Sequence, residues 1–194
     1  MYLPFTLLRM MFSGARLGKK EFLIGMKKIV QMINAVSEFS GQIVKFLVIA
    51  LIFVLCYEVI ARYVFNSPTI WALETSKMLM GTFGACGWAY TYLYDGHVRV
   101  DVFYSKLSRT GRAWIDVIFS IIFLFPICII LISAGIRWAA FAWKCGEKMV
   151  ESSWLPPAAP FRTILVFGFC LFALQSLSKF IQDLYFLIRK RELL

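Results

Sequence analysis

The sequence predicts an all-α membrane protein with four transmembrane helices, preceded by an N-terminal amphipathic interfacial helix. About 60% of the 194 residues are hydrophobic, whereas only 16% are charged. A soluble domain of this size cannot bury so much apolar surface, so the excess must face lipid or another protein. The chain also contains four apolar stretches that are long enough to cross a bilayer, which takes about 20 helical residues.

Residues 1–40 form a basic arm in this interpretation, and residues 41–194 form the transmembrane domain. Near the end of the arm, hydrophobic residues recur at helical spacing, as at Met26, Ile29 and Ile33. Charged and amide side chains fall largely on other faces. A basic amphipathic helix of this kind is typical of a membrane surface. The alternative is that it simply leads into the first span.

The predicted spans cover residues 41–63, 68–94, 113–142 and 161–186. Glu58 and Arg62 end the first span one helical turn apart, where an ion pair can form. Ser67 is the predicted N-cap of the second span, and Pro68 its first helical residue. Pro126 lies near the middle of the third span and predicts a kink, because proline removes one backbone hydrogen bond.

Lysine and arginine concentrate in the N-terminal arm, in the loop at 95–112 and in the C-terminal tail. The positive-inside rule places these segments in the cytoplasm. The sequence therefore predicts a multi-pass protein of the bacterial inner membrane with both termini cytoplasmic. The net charge of +10 lies beside the apolar spans, which favours contact with anionic lipid over binding of nucleic acid.

The residue types needed for cofactor chemistry are scarce. His97 is the single histidine, whereas a membrane haem of the b type needs two axial histidines. The five cysteines lie far apart and show no metal-ligand spacing. We also find no phosphate-binding glycine loop and no nucleophile–base pair. The sequence predicts no enzyme activity, no catalytic residue, no metal and no cofactor.

The second span carries the candidate partner surface. Gly81 and Ala85 have the small-xxx-small spacing that lets another helix approach closely. Glu74 and Lys77 can pair on one helix face near the predicted outer interface, which favours an interfacial pair or a partner contact over a substrate site. Packing within the chain's own bundle and docking to another protein both stay open. The candidate residues are Trp71, Glu74, Lys77, Gly81, Gly84, Ala85 and Trp88.

The deep parts of all four predicted spans contain no charged residue, and the chain shows no inverted repeat. A transporter of charged solutes normally places its binding groups near the midplane of the membrane. An accessory subunit of a larger transporter therefore fits better than a complete one. The alternatives are the membrane anchor of a respiratory enzyme and a stand-alone small exporter.

Several runs resemble the DctQ-like family, the small membrane subunits of tripartite ATP-independent periplasmic (TRAP) transporters. They are Arg62-Tyr63-Val64-Phe65-Asn66, then Pro68, Trp71 and Glu74, and then Gly96-His97-Val98-Arg99-Val100-Asp101. The last run is the most specific, and the resemblance covers roughly residues 43–185. Many members carry two adjacent acids after the tryptophan, whereas this chain has only Glu74. The residues that carry the family motif are Arg62, Asn66, Gly96, His97, Arg99 and Asp101.

The resemblance implies a mechanism and a set of partners. A soluble periplasmic binding protein captures an organic acid, and a large multi-span subunit carries it inward by an elevator motion driven by sodium. The small subunit braces the large one, contacts membrane lipids and holds neither substrate nor sodium itself. The solute is not identified by this sequence.

Overall fold

The computed structural model describes residues 4–96, 107–190 and 193, with side chains from Leu23 onward. These residues are helical apart from their connections, and an isolated antiparallel bridge between Lys148 and Pro157 is the only β-type pairing among them. The predicted all-α class is thus confirmed for the described residues. The helices are α1 (Pro4–Tyr63), α2 (Ala72–Leu93), α3 (Arg109–Phe119), α4 (Phe125–Cys145) and α5 (Ala158–Arg189).

Helix α1 is a single helix that passes residue 40 without a break. Its described apolar part, Leu23–Tyr63, has 41 residues. At 1.5 Å per residue this part is about 60 Å long, which is twice the ~30 Å hydrocarbon core of a bilayer. The helix therefore continues through the predicted boundary between the arm and the first span.

Three helical stretches are long and apolar enough to cross a membrane: Leu23–Tyr63, Arg109–Cys145 and Ala158–Arg189. Helix α2 is not among them. It has 22 residues and carries Glu74 and Lys77 in its first two turns, which shortens its apolar part. Its crossing of the membrane stays a prediction. Within the bundle, α2 packs against both α1 and α5.

The start of α2 corrects one prediction, because the helix begins at Ala72 rather than at Pro68. The backbone N–H of Ser67 donates to the carbonyl of Ala61 at 2.9 Å and so completes the end of α1. The Glu58 carboxylate accepts a hydrogen bond from the Thr69 N–H at 3.2 Å. Ser67 consequently caps no helix, and residues 64–71 form the connection.

The third helical rod is continuous from Arg109 to Cys145 and contains a π-helical turn at Ser120–Leu124. The N–H of Phe125 donates to the carbonyl of Ser120, five residues earlier. Pro126, which lacks an N–H, follows directly and is accommodated by this wider turn. The departure from regular helix expected at Pro126 thus takes the form of a π turn.

Helix α5 is the centre of the bundle, because it contacts every other helix. Small residues bring the helices together, and a Cβ on Gly168 of α5 would lie only 2.7 Å from the backbone of Ala85 in α2. Large apolar side chains mostly point outward. In the most apolar window of α1, only 6% of the residues are buried inside the chain, and the value for α5 is 28%. The outward surface is therefore suited to lipid or to another membrane protein.

Candidate partner surfaces at the two ends of the bundle

One end of the bundle carries the connections 64–71 and 146–157, and we call it the two-loop end. Here the buried Arg162 of α5 binds both carboxylate oxygens of Glu147, at 2.6 and 2.5 Å. Its guanidinium also lies 4.1 Å from the centre of the Trp138 ring. The hydrogen bond from Arg162 lowers the pKa of the Glu147 carboxyl below its ordinary value. This ion pair fastens the start of the 146–157 connection to α5.

Glu74 and Lys77 hold the same connection from the side of α2. Glu74 is fully buried, and its Oε1 accepts a hydrogen bond from the backbone N–H of Glu151 at 3.0 Å. Its Oε2 has no hydrogen-bond partner among the described residues. Lys77 forms an ion pair with the carboxylate of Glu151. Glu74 and Lys77 therefore do not pair with each other as predicted. Each instead binds Glu151, which lies in a segment distant in sequence.

The connection 64–71 is shaped by residues of the family motif. The predicted ion pair between Glu58 and Arg62 is confirmed, with Nη2 at 2.5 Å and Nε at 3.1 Å from Oε1. Asn66 has a φ of 50°, in the left-handed region that asparagine tolerates better than most residues. The Trp71 ring stacks on Tyr57 with 5.8 Å between the ring centres. These contacts fix how α1 turns into α2.

The small-residue face of α2 is used largely within the chain. A Cβ on Gly81 would lie 2.6 Å from the ring of Phe161 in α5. Trp88 stacks on Phe169, which also lies in α5. Of the two interpretations that the sequence left open, packing within the bundle describes Gly81, Ala85 and Trp88. Gly84 differs, because a Cβ there would meet no atom within 4 Å, so partner docking at Gly84 stays a prediction.

A buried polar network joins α1 to α5 towards the opposite end, which we call the terminal end. Ser37 Oγ donates to Gln175 Oε1 at 2.7 Å, and Gln175 Nε2 donates to Asn34 Oδ1 at 3.1 Å. Ser178 Oγ donates to the same Asn34 oxygen at 3.0 Å. Sequence reasoning missed this network. Its signal is the presence of uncharged polar residues at Gln175 and Ser178 within a long apolar helix, which often marks a helix contact in membranes.

Ionisable residues gather again at the terminal end. Lys179 pairs with Asp95, and the hydroxyl of Tyr94 donates to Glu38 at 2.5 Å. A cavity of about 450 Å³ lies beside them. Among the residues that line it are Asn34, Asp95, Arg109, Arg112, Asp116, Lys179 and Asp183.

The most specific part of the family motif follows α2 at this end. The N–H of Gly96 donates to the carbonyl of Thr91 at 2.8 Å and closes the end of the helix. His97, Arg99 and Asp101 lie outside the described residues, so the structure does not test their predicted role.

Between the two ends, the helices carry no charged side chain over residues 46–57, 78–94, 117–136 and 163–178. Glu38 and Glu58 of α1 lie towards the two ends of the bundle and are 20 residues apart, or about 30 Å along a helix, which is comparable to the thickness of the hydrocarbon core. No group of histidine, cysteine or acidic residues within the described part could hold a metal ion. The bundle thus offers helix surfaces in its middle and polar contacts at its ends.

This arrangement defines a helical membrane protein whose ionisable groups gather at the ends of its bundle. Residues 42–185 match the family model of the DctQ component of the tripartite ATP-independent periplasmic transporters. The match covers more than half of the chain, so the chain belongs to this family, and the resemblance seen in the sequence is confirmed. Members of the family are transporter components rather than enzymes. A comparison with curated proteins gave no match.

Proposed function

We propose that this chain is the small accessory subunit of a sodium-driven TRAP transporter and braces its large elevator-type subunit. The transporter imports an organic acid that a periplasmic binding protein delivers. The observation that carries this proposal is the combination of a charge-free middle with outward-facing apolar side chains. Such a bundle has no charged group near the midplane of the membrane to bind a charged solute, whereas it has ample surface for another membrane subunit.

A brace needs a rigid surface, and the contacts at both ends supply it. At the two-loop end, Glu147 and Glu151 tie the 146–157 connection to α5 and α2. At the terminal end, the hydrogen bonds of Asn34 and Ser37 tie α1 to α5. An elevator mechanism moves one part of a transporter against a static part, so the static part benefits from a partner that does not deform.

The proposed orientation places the two-loop end in the periplasm and both termini in the cytoplasm of a bacterial inner membrane. The distribution of lysine and arginine supports this orientation. The chain then crosses the membrane four times, with α2 as the second span. The 146–157 and 64–71 connections would face the side on which the binding protein delivers its solute.

The test is reconstitution of the transporter from its purified parts in liposomes. We expect no uptake by this chain alone. Uptake should require the large subunit, the binding protein and a sodium gradient, and it should fall when this chain is left out. Solute transport by the chain alone would establish the exporter alternative, and a haem absorbance band in the purified chain would favour the respiratory anchor.

A further inference from the structure

Helix α1 exposes a large apolar residue at every seventh position. Met32, Phe39, Phe46, Phe53 and Ile60 are 69, 65, 73, 71 and 50% exposed. A second series precedes each of them by three residues, and its members are Ile29, Val36, Ile43, Ala50 and Tyr57. The combined spacing of three and four is that of a coiled-coil seam. We call these ten residues the α1 seam.

The remaining exposed positions of α1 show where lipid begins. From residue 27 to residue 45 they are Lys27, Lys28, Gln31, Ala35, Gln42 and Lys45. Beyond residue 45 they become apolar, as at Ile49, Ile52 and Val59. This change from polar to apolar is what a helix shows when it enters a bilayer. The residues of the α1 seam are apolar both before and after residue 45. Contact with lipid alone therefore does not explain why the seam is apolar.

The start of the seam, at Ile29, lies beyond the hydrocarbon core. The level of Glu38 is marked by its hydrogen bond with Tyr94, close to the ion pair of Asp95 with Lys179. Ile29 lies nine residues, or about 14 Å, beyond Glu38. The Asn34 and Gln175 hydrogen bond holds this part of α1 against α5, so it does not lie flat in the membrane surface. Its exposed apolar residues therefore need cover from protein.

A groove runs along the edge of the seam where α1 meets α5. Its volume is about 110 Å³, and its walls are almost entirely apolar. Leu171 and Leu174 of α5 form one side, and Met32, Ile33 and Val36 form the other. A helix lying on the seam can insert apolar side chains into this groove, in the knobs-into-holes manner of coiled coils.

The area is sufficient for a specific contact with one long helix. The seam is about 46 Å long from Ile29 to Ile60, and a helix is about 10 Å wide. Contact along it buries roughly 450–500 Å² on each partner, or about 1,000 Å² in total, which reaches the lower limit of specific protein interfaces. The α5 side of the groove adds to this area.

The charge beside the seam indicates the kind of partner. Lys28 lies beside its lower part and is exposed. A second copy of this chain has the same orientation in the membrane, so in a coiled coil along this seam Lys28 would face Ile33 of the other copy and gain no acidic partner. A different helix that carries an acidic residue at this level would complement Lys28.

We infer that the α1 seam receives one long helix of the large transporter subunit, with an acidic residue where that helix passes Lys28. This inference rests on the proposed function, because it names the surface through which the brace binds. It also assigns a role to the part of α1 that extends beyond the membrane, because the contact with the partner helix continues along it.

Photo-cross-linking in native membranes tests the seam. A benzophenone amino acid replaces Phe39, Phe46 or Phe53 on the seam, and Ile52 or Val59 at exposed positions of the same helix outside it. We expect adducts with the large subunit from the three seam positions and none from Ile52 and Val59. Adducts from Ile52 and Val59 instead, or seam adducts with a second copy of this chain, would overturn the inference.

Co-purification provides the second readout. The double variant F46A and F53A should lose the large subunit, whereas the matched double variant I52A and V59A should keep it. Both should keep the melting temperature of the isolated chain, because all four side chains are exposed. Equal retention by both variants contradicts the seam while leaving the proposed function intact. If the unaltered chain never co-purifies with a large subunit, the proposed function itself fails.

Discussion

Gly168 and Gly84 offer a matched test of how α2 and α5 pack. A Cβ on Gly168 would lie 2.7 Å from both the carbonyl carbon and the Cβ of Ala85. Carbon atoms in contact normally stay about 3.5–4.0 Å apart, so α2 and α5 would have to separate by about 1 Å. A Cβ on Gly84 would meet nothing within 4 Å. Both glycines lie inside helices.

The two Gly→Ala changes have the same effect on helix propensity but differ in their effect on packing. Each gains about 0.5–1 kcal/mol from the better helix propensity of alanine. Gly168→Ala alone also overpacks a helix contact, which typically costs about 1–3 kcal/mol. The difference between the two variants therefore isolates the overpacking cost. For a chain of this size it corresponds to a melting temperature roughly 2–12 °C lower for Gly168→Ala than for Gly84→Ala.

The measurement is thermal unfolding of both variants and the unaltered chain in one detergent, at one scan rate, because unfolding of such proteins is often irreversible. We expect Gly84→Ala to match or exceed the unaltered chain and Gly168→Ala to fall below both. Equal melting temperatures for the two variants would refute the close approach of Gly168 to Ala85.

Three further predictions concern the two-loop end. Glu74→Ala should destabilise the chain by about 1–3 kcal/mol, because the N–H of Glu151 loses its hydrogen bond to the buried Glu74 side chain. Glu74→Gln should be milder, and an equal loss in both variants would contradict this hydrogen bond. The hydrogen bond from Arg162 lowers the pKa of Glu147, so the stability it contributes is complete above the ordinary carboxyl value of 4.5 and is lost as pH falls from there through the lowered pKa. Melting temperatures measured against pH should show this decline, and Glu147→Gln should remove it. Cys145 is exposed at this end, so a membrane-impermeant maleimide should label it in intact cells with a permeable outer membrane, and Cys145→Ser should not be labelled there. Labelling of Cys145 only after the inner membrane is broken would reverse the proposed orientation.

Helix periodicity and the apolar stretches predicted the class of the fold, because both are local properties of the sequence. The start of α2 was misplaced for a reason that is not local. Ser67 and Pro68 have the right preferences for a helix start, but the Glu58 side chain binds the N–H of Thr69, eleven residues later, and this segment is not helical. A cap preference of about 1 kcal/mol yields to such contacts.

The site shows the same limit. Glu74 and Lys77 suit each other in sequence, yet each binds Glu151, 77 and 74 residues away. The spacing of Gly81 and Ala85 correctly indicates that a helix comes close, but it carries no information on which helix. That helix is α5, whose Gly168 supplies the other half of the contact.

The central place of α5 has a consequence for the biogenesis of the chain. A ribosome delivers α1, α2 and the α3–α4 rod first. Helices α1 and α2 contact each other directly, whereas the α3–α4 rod joins them chiefly through α5. Until α5 enters the membrane, the small face of α2 and the polar side chains of Asn34 and Ser37 lack their partners. The bundle therefore completes its packing only when α5, the last described helix, has inserted. Before that, the unpaired helix surfaces are exposed, and this is the stage at which binding by the insertion machinery or by another subunit would protect the chain most.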